Sequence, residues 1–151
     1  MRSIVIDANN AILGRLASFA AKQALLGKNV IIVNCSEAVV SGGRDSVIAD
    51  YRETKARGGS SLKGPFMHRA PFKMVKRTIR GMLKHREGRG NEALKRIMCY
   101  NDTPEEYKEV KKLLAGKEKK VKTIKLGELS KALWVWKNKY FQEKEKLLLQ
   151  K

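Results

Sequence analysis

The stretch SIVIDANNAILGRLASFAAKQALLGKNVIIV (Ser3–Val33) decides the fold. Ser3–Asp7 alternates into a short apolar run, the period of a β-strand. From about Ala11 to Leu26 the period changes. Leu13, Leu16, Ala20 and Ala24 recur at spacings of three and four, which draws one apolar stripe along a helix. Asn9 or Asn10 is placed to cap this helix, and Gly27 to stop it. Val30–Val33 is a run of β-branched residues without a polar break, as in a buried strand. Strand, helix and strand in about 30 residues form a βαβ unit, which implies parallel pairing. The turn after the first strand lacks the Gly-x-Gly-x-x-Gly pattern of a dinucleotide cradle. Its single glycine, Gly14, falls inside the helix, where it is expected to let the helix pack closely on the sheet.

Beyond this unit, Ser41-Gly42-Gly43 reads as a turn and about Asp45–Thr54 as a helix. Arg57 to Pro65 is a Gly/Ser loop, by composition a flexible linker, but its interspersed cations, Arg57 and Lys63 among them, favour a loop that orders on RNA. The most informative later segment is Pro71–Lys84, where Pro71 fits the first turn of a helix. At 100° per residue, Phe72, Val75, Ile79, Met82 and Leu83 share one arc of about 100°. Lys73, Lys76, Arg77, Arg80 and Lys84 share another, with no acid among them. Like charges at i, i+4 destabilise an isolated helix, so an external anion must reward them. The basic turn His85–Gly90, carrying His85, Arg86 and Arg89, leads into a short helix expected over Glu92–Met98. Leu94, Ile97 and Met98 form its buried edge. His68 and His85 sit among cations, a poor setting for a metal, so RNA contact or packing is their expected role. Pro104 closes this domain, giving an α/β unit over residues 1–107. Residues 108–151 read as a Lys-rich connector and a C-terminal helix with an apolar stripe of Leu129, Leu133, Trp136 and Tyr140. That stripe suits docking, on protein or on RNA.

Charge narrows the function. Thirty-three Lys and Arg stand against fifteen Asp and Glu, a net +18 over 151 residues. Residues 1–51 carry net +1, residues 52–96 net +11 and residues 97–151 net +6. Eight of the eleven arginines lie in residues 52–96. Arg holds phosphate with a planar fork and stacks on bases, so this third reads as the contact surface. Such an excess calls for a polyanionic partner, nucleic acid or an anionic membrane. No run of about 20 apolar residues exists for spanning, and Asp7 interrupts any signal-peptide core. Cys35 and Cys99 lack metal or redox spacing and read as small buried side chains in a reducing, cytoplasmic setting.

The residues also carry a family resemblance. Ile6-Asp7, Leu13-Gly-Arg-Leu-Ala17, Ala21-Lys22 and Leu25-Leu-Gly27 resemble the start of the large-subunit ribosomal protein L-thirteen family. Gly64-Pro65, Arg69-Ala-Pro71, Arg77-Thr-Ile-Arg-Gly-Met-Leu83, Arg89-Gly90 and Ala93-Leu94 continue the series, in a form similar to the archaeal and eukaryotic branch. Lys84, where the family usually has Pro, and Asp102, where it usually has Gly, depart from the pattern. The resemblance implies a three-layer α/β sandwich around a short, mainly parallel sheet, seated on large-subunit rRNA beside neighbouring ribosomal proteins and needed for subunit assembly. It singles out Arg15, Arg69, Arg77, Arg80, Arg89 and Gly81, the last by letting backbone and phosphate approach closely. With the cations named above, these are the expected rRNA-binding residues.

A nucleic-acid enzyme needs an acidic pair or a His–carboxylate cluster, whereas Glu53, Glu87 and Glu92 stand isolated among cations. No catalytic residue, metal, cofactor or small-molecule substrate is therefore expected. A free RNA-binding regulator acting outside the ribosome is the alternative to a ribosomal role.

Overall fold

The computed structural model describes residues 3–57, 67–115 and 121–135. The opening unit forms as read: β1 (Ser3–Asp7), α1 (Leu13–Leu25) and β2 (Asn29–Val33). β1 and β2 pair in parallel from Ser3–Asn29 to Asp7–Val33. Gly27 ends α1 with φ of 84°, the left-handed conformation that glycine adopts without a Cβ penalty. The start of α1 differs from expectation. Ile12, not Asn9 or Asn10, occupies the cap position, and no side chain caps it. Asn9 instead donates its backbone N–H to Asp7 Oδ1 at 2.9 Å, and Asn10 turns left-handed with φ of 53°. The asparagines are spent on the turn between strand and helix, which delays the helix by two residues. Gly14 does not serve close packing either, because a Cβ there would meet nothing within 4 Å.

After a single 3₁₀ turn (Cys35–Glu37) come β3 (Val39–Ser41) and α2 (Arg44–Ala56). Then α3 (Pro71–Met82) and α4 (Gly88–Lys95) follow. The helix expected over Glu92–Met98 instead begins and ends earlier. Ile97–Cys99 forms a strand, β4, parallel to β2. Burial explains the switch: Ile97 is fully buried while its neighbour Met98 is 50% exposed, a period of two.

The Lys-rich connector is more structured than expected. It contributes β5 (Lys112–Leu114), parallel to β1, and β6 (Thr123–Lys125), antiparallel to β3. The main sheet thus has the order β4-β2-β1-β5, and β3-β6 forms a second, two-stranded sheet. Residues 126–135 then form a helix, α5, that buries Leu126, Leu129 and Leu133. These side chains join the same core as Ile6, Leu16, Ile32, Ile79 and Ile97. A boundary near residue 107 therefore falls inside the packed unit. Trp136 and Tyr140, the rest of the expected docking stripe, lie outside the described residues.

The sheet packs one face fully against helices and is covered on the other at its centre, in a three-layer α/β arrangement. Ile6, Val30, Ile32 and Ile97 share the cluster with α1 and α3. Val5 and Val33, alternating with them along the strands, are buried on the opposite face. Among the described residues no helix is long and apolar enough to cross a membrane, and no cluster of metal-ligating side chains occurs.

Candidate nucleic-acid interface

The site is built on α3. Pro71 occupies its first turn, where a missing N–H costs nothing. The next N–H, of Phe72, donates to Asn101 Oδ1 at 3.1 Å and ties the helix start to the segment after β4. Met74, Val75 and Ile79 face the core. This buried arc is rotated from the expected one. Met74 lies inside it, Phe72 is displaced to its edge, and Met82 at the helix end is 46% exposed. The rotation has a consequence for the site, because it brings Phe72 to the border of the cationic face.

α3 stops at Met82, so Lys84 belongs to the following turn and not to the helix. Leu83 remains buried as the cap residue. The turn is held by its own backbone: His85 N–H donates to Leu83 O at 2.8 Å and Glu87 N–H to Lys84 O at 3.0 Å. Gly90 closes the joint. A Cβ there would stand 2.5 Å from the Lys84 carbonyl carbon and 3.1 Å from His85 N, with the carbonyl oxygen nearer still. Only a glycine lets α4 lie this close to the turn. In the sequence its signal is the Arg89-Gly90 pair, whose charge is legible and whose packing is not.

On the outer face Lys73 and Arg80 are exposed, and Lys76 and Arg77 half-buried. Among the described residues, Lys73, Lys76 and Arg80 have no carboxylate within salt-bridge distance. These four cations and His68 surround a groove of about 330 Å³ between α3 and α4, whose apolar part is Phe72 and Leu94. Lys73 Nζ lies 5.8 Å from the centre of the Phe72 ring. Neither Phe72 nor Leu94 was singled out for binding from sequence.

The remaining expected contact residues are distributed around this groove or away from it. Arg86 and Arg89 are exposed on the turn and the start of α4, and Gly81 is exposed near the end of α3. Lys84 sits 3.5 Å from Glu87, a weak surface pair. His85 is half-buried, its Nδ1 3.4 Å from Leu83 O. Arg69 stacks over the Trp134 ring of α5, 4.6 Å from its centre, and burial lowers its pKa from the ordinary value. Arg57 pairs with Glu53 at 2.6 Å at the end of α2. Arg15 lies on α1, bordering a separate cleft with Phe19, Leu113 and Leu114. Lys63 and the Gly64-Pro65 motif lie outside the described residues. Arg96, in contrast, is structural: it reaches Ala24 O at 3.4 Å and Glu92 at 3.3 Å. Cys35 is buried and Cys99 half-buried. A hydrogen bond with Cys99, together with burial, pushes the Cys35 thiol up; the same bond holds Cys99 down.

The family model described as ribosomal protein L13 matches residues 1–106. The chain belongs to the ribosomal protein L13 family. Curated relatives named large ribosomal subunit protein uL13 agree. One from Methanosarcina barkeri is 42% identical over 135 residues, covering 85% of this chain and 96% of the relative. One from Archaeoglobus fulgidus is 38% identical, covering 85% and 86%. A third, from Caenorhabditis elegans, is 41% identical over 76% of this chain and 57% of the longer nematode protein. The match of the L13 model takes in β1 through β4 and the α3–α4 joint, so the cationic groove lies within the family's own portion of the chain.

Proposed function

We propose that this L13-family protein is a structural, non-catalytic constituent of the large ribosomal subunit. It binds and organises large-subunit rRNA through α3 and the turn behind it, and supports subunit assembly in the cytoplasm beside neighbouring ribosomal proteins. The observation that carries this reading is the α3 face. Lys73, Lys76 and Arg80 have no acidic partner among the described residues, while the opposite face packs into the core. Lys73 and Arg80 are seven residues apart, roughly 10 Å along a helix, a row able to follow a phosphate backbone. Arg86 and Arg89 add exposed cations beyond the helix end. Gly81, exposed and without a neighbour for its missing Cβ, leaves α3 open to close approach. Sequence-independent attraction of this kind supplies affinity, and shape supplies register.

The test is co-sedimentation. The native protein should travel with the large subunit and remain there through a moderate salt wash. Its recovery as free protein at low salt, with subunits intact and lacking it, would refute the ribosomal assignment.

A further inference from the structure

We infer that the groove between α3 and α4 receives one unstacked nucleobase of an RNA strand, with the flanking phosphates held by the cations at its rim. This rests on the rRNA-binding reading and narrows it to a kind of RNA element: a bulge, loop or single strand, not the continuous backbone of a duplex.

Two features coincide in the groove. Its rim is cationic, with Lys73, Lys76, Arg77 and Arg80, and no carboxylate lines it. Its interior is apolar, with Phe72 and Leu94 half-buried and packed against the core from their inner sides. A phosphodiester backbone satisfies the rim but has no use for an apolar hollow. An uncharged apolar side chain of a protein partner would fill the hollow but leave the rim unneutralised. A nucleotide satisfies both, because its base has two apolar faces and its backbone carries the charge. Phe72 presents its ring on the cationic side, as its 5.8 Å spacing from Lys73 Nζ shows. His68, exposed at the same groove, offers a second flat ring and a hydrogen-bonding edge.

The groove is also pre-formed. Leu94 stands on α4, and α4 is held against the α3 turn by the Gly90 contact with Lys84 and His85. Phe72 is fixed at the other wall by its N–H bond to Asn101. Little ordering is therefore left to be done on binding, which favours affinity.

The experiment compares two end-labelled probes on the full-length protein by fluorescence anisotropy. One is a single-stranded decamer of uridylate, the other a decamer with the same ribose-phosphate backbone and no bases. Stacking of one base is worth roughly 1–3 kcal/mol, so at about 1.4 kcal/mol per decade the uridylate decamer should bind about 5- to 150-fold tighter. Phe72→Ala should erase this preference without changing affinity for the abasic probe, while Phe72→Tyr should keep it. Phe72→Leu, which keeps apolar bulk but loses the ring, gives the same comparison should the Ala variant fail to fold. Equal binding of the two probes by the wild type would overturn the inference, as would a preference that survives loss of the ring. Steep salt dependence for both probes would then still uphold the phosphate reading. An abasic probe bound without salt dependence would instead remove that reading as well.

Discussion

Three glycines on exposed or tightly packed helix positions should respond to the same substitution with opposite signs. Gly90→Ala places a carbon 2.5 Å from the Lys84 carbonyl carbon, against an ordinary carbon–carbon contact of about 3.5 Å. The neighbours are backbone, so the turn must retreat by about 1 Å or the helix must tilt. Overpacking of this kind costs roughly 1–3 kcal/mol. Alanine returns up to about 1 kcal/mol of helix propensity, leaving a net loss on the order of 2 kcal/mol at the upper end. For a chain of this size that lowers Tm by roughly 4–8 °C. Gly14→Ala and Gly81→Ala meet nothing within 4 Å, so only the propensity gain remains. Both should raise Tm by a few degrees. They separate in binding: Gly14 lies on α1 away from the groove, whereas Gly81 is exposed on α3, the helix proposed to face RNA. Gly81→Ala should weaken rRNA binding, and Gly14→Ala should leave it unchanged. Thermal unfolding and rRNA titration of the three variants make the assay. A Gly90→Ala protein that gains stability, as the other two variants should, would refute the packing argument. A Gly81→Ala protein with undiminished affinity would refute close backbone approach at that position.

The core makes two further demands. Ile79→Ala removes a fully buried side chain and should cost roughly 2–5 kcal/mol in denaturant unfolding, while rRNA affinity of the folded fraction stays near wild type. A loss of affinity without a loss of stability would show that the two faces of α3 are misassigned. Truncation after Gly116 strips Ile124, Leu126, Leu129 and Leu133 from the core, all at most 2% exposed. The shortened chain should lose its single cooperative melt, and a sharp native-like transition would mean that residues 117–151 are an appendage.

What the sequence disclosed follows the length of its patterns. β1, α1 and β2 were legible because each has enough residues to display its period, and Gly27 ends α1 as its position suggests. The strands of three residues were not. β4 was absorbed into a helical reading because Leu94, Ile97 and Met98 fit helical spacing. Pairing with β2 decided otherwise. β5 and β6 are flanked or occupied by lysines, and β6 buries only Ile124, so neither shows an apolar run. Their stability comes from β1 and β3, which no local pattern records. The cationic face of α3 was readable from charge alone. The groove was not, because it needs Leu94 from α4 beside Phe72 from α3, and that neighbourhood depends on the Gly90 contact. Arg69, singled out by the resemblance, stacks on Trp134 of α5, a neighbourhood that no local pattern records.

The central claim is that exposed cations on α3 meet rRNA phosphates. The direct measurement is the slope of log affinity for purified large-subunit rRNA against log salt, for the wild type and for Lys73→Gln with Arg80→Gln. Neither side chain is buried or ion-paired among the described residues, so the double variant should keep its Tm. The wild-type slope should be steep, and the variant's shallower by about one unit per lost contact, or about two in all. A flat wild-type plot, or a variant slope equal to the wild type's, would contradict the claim.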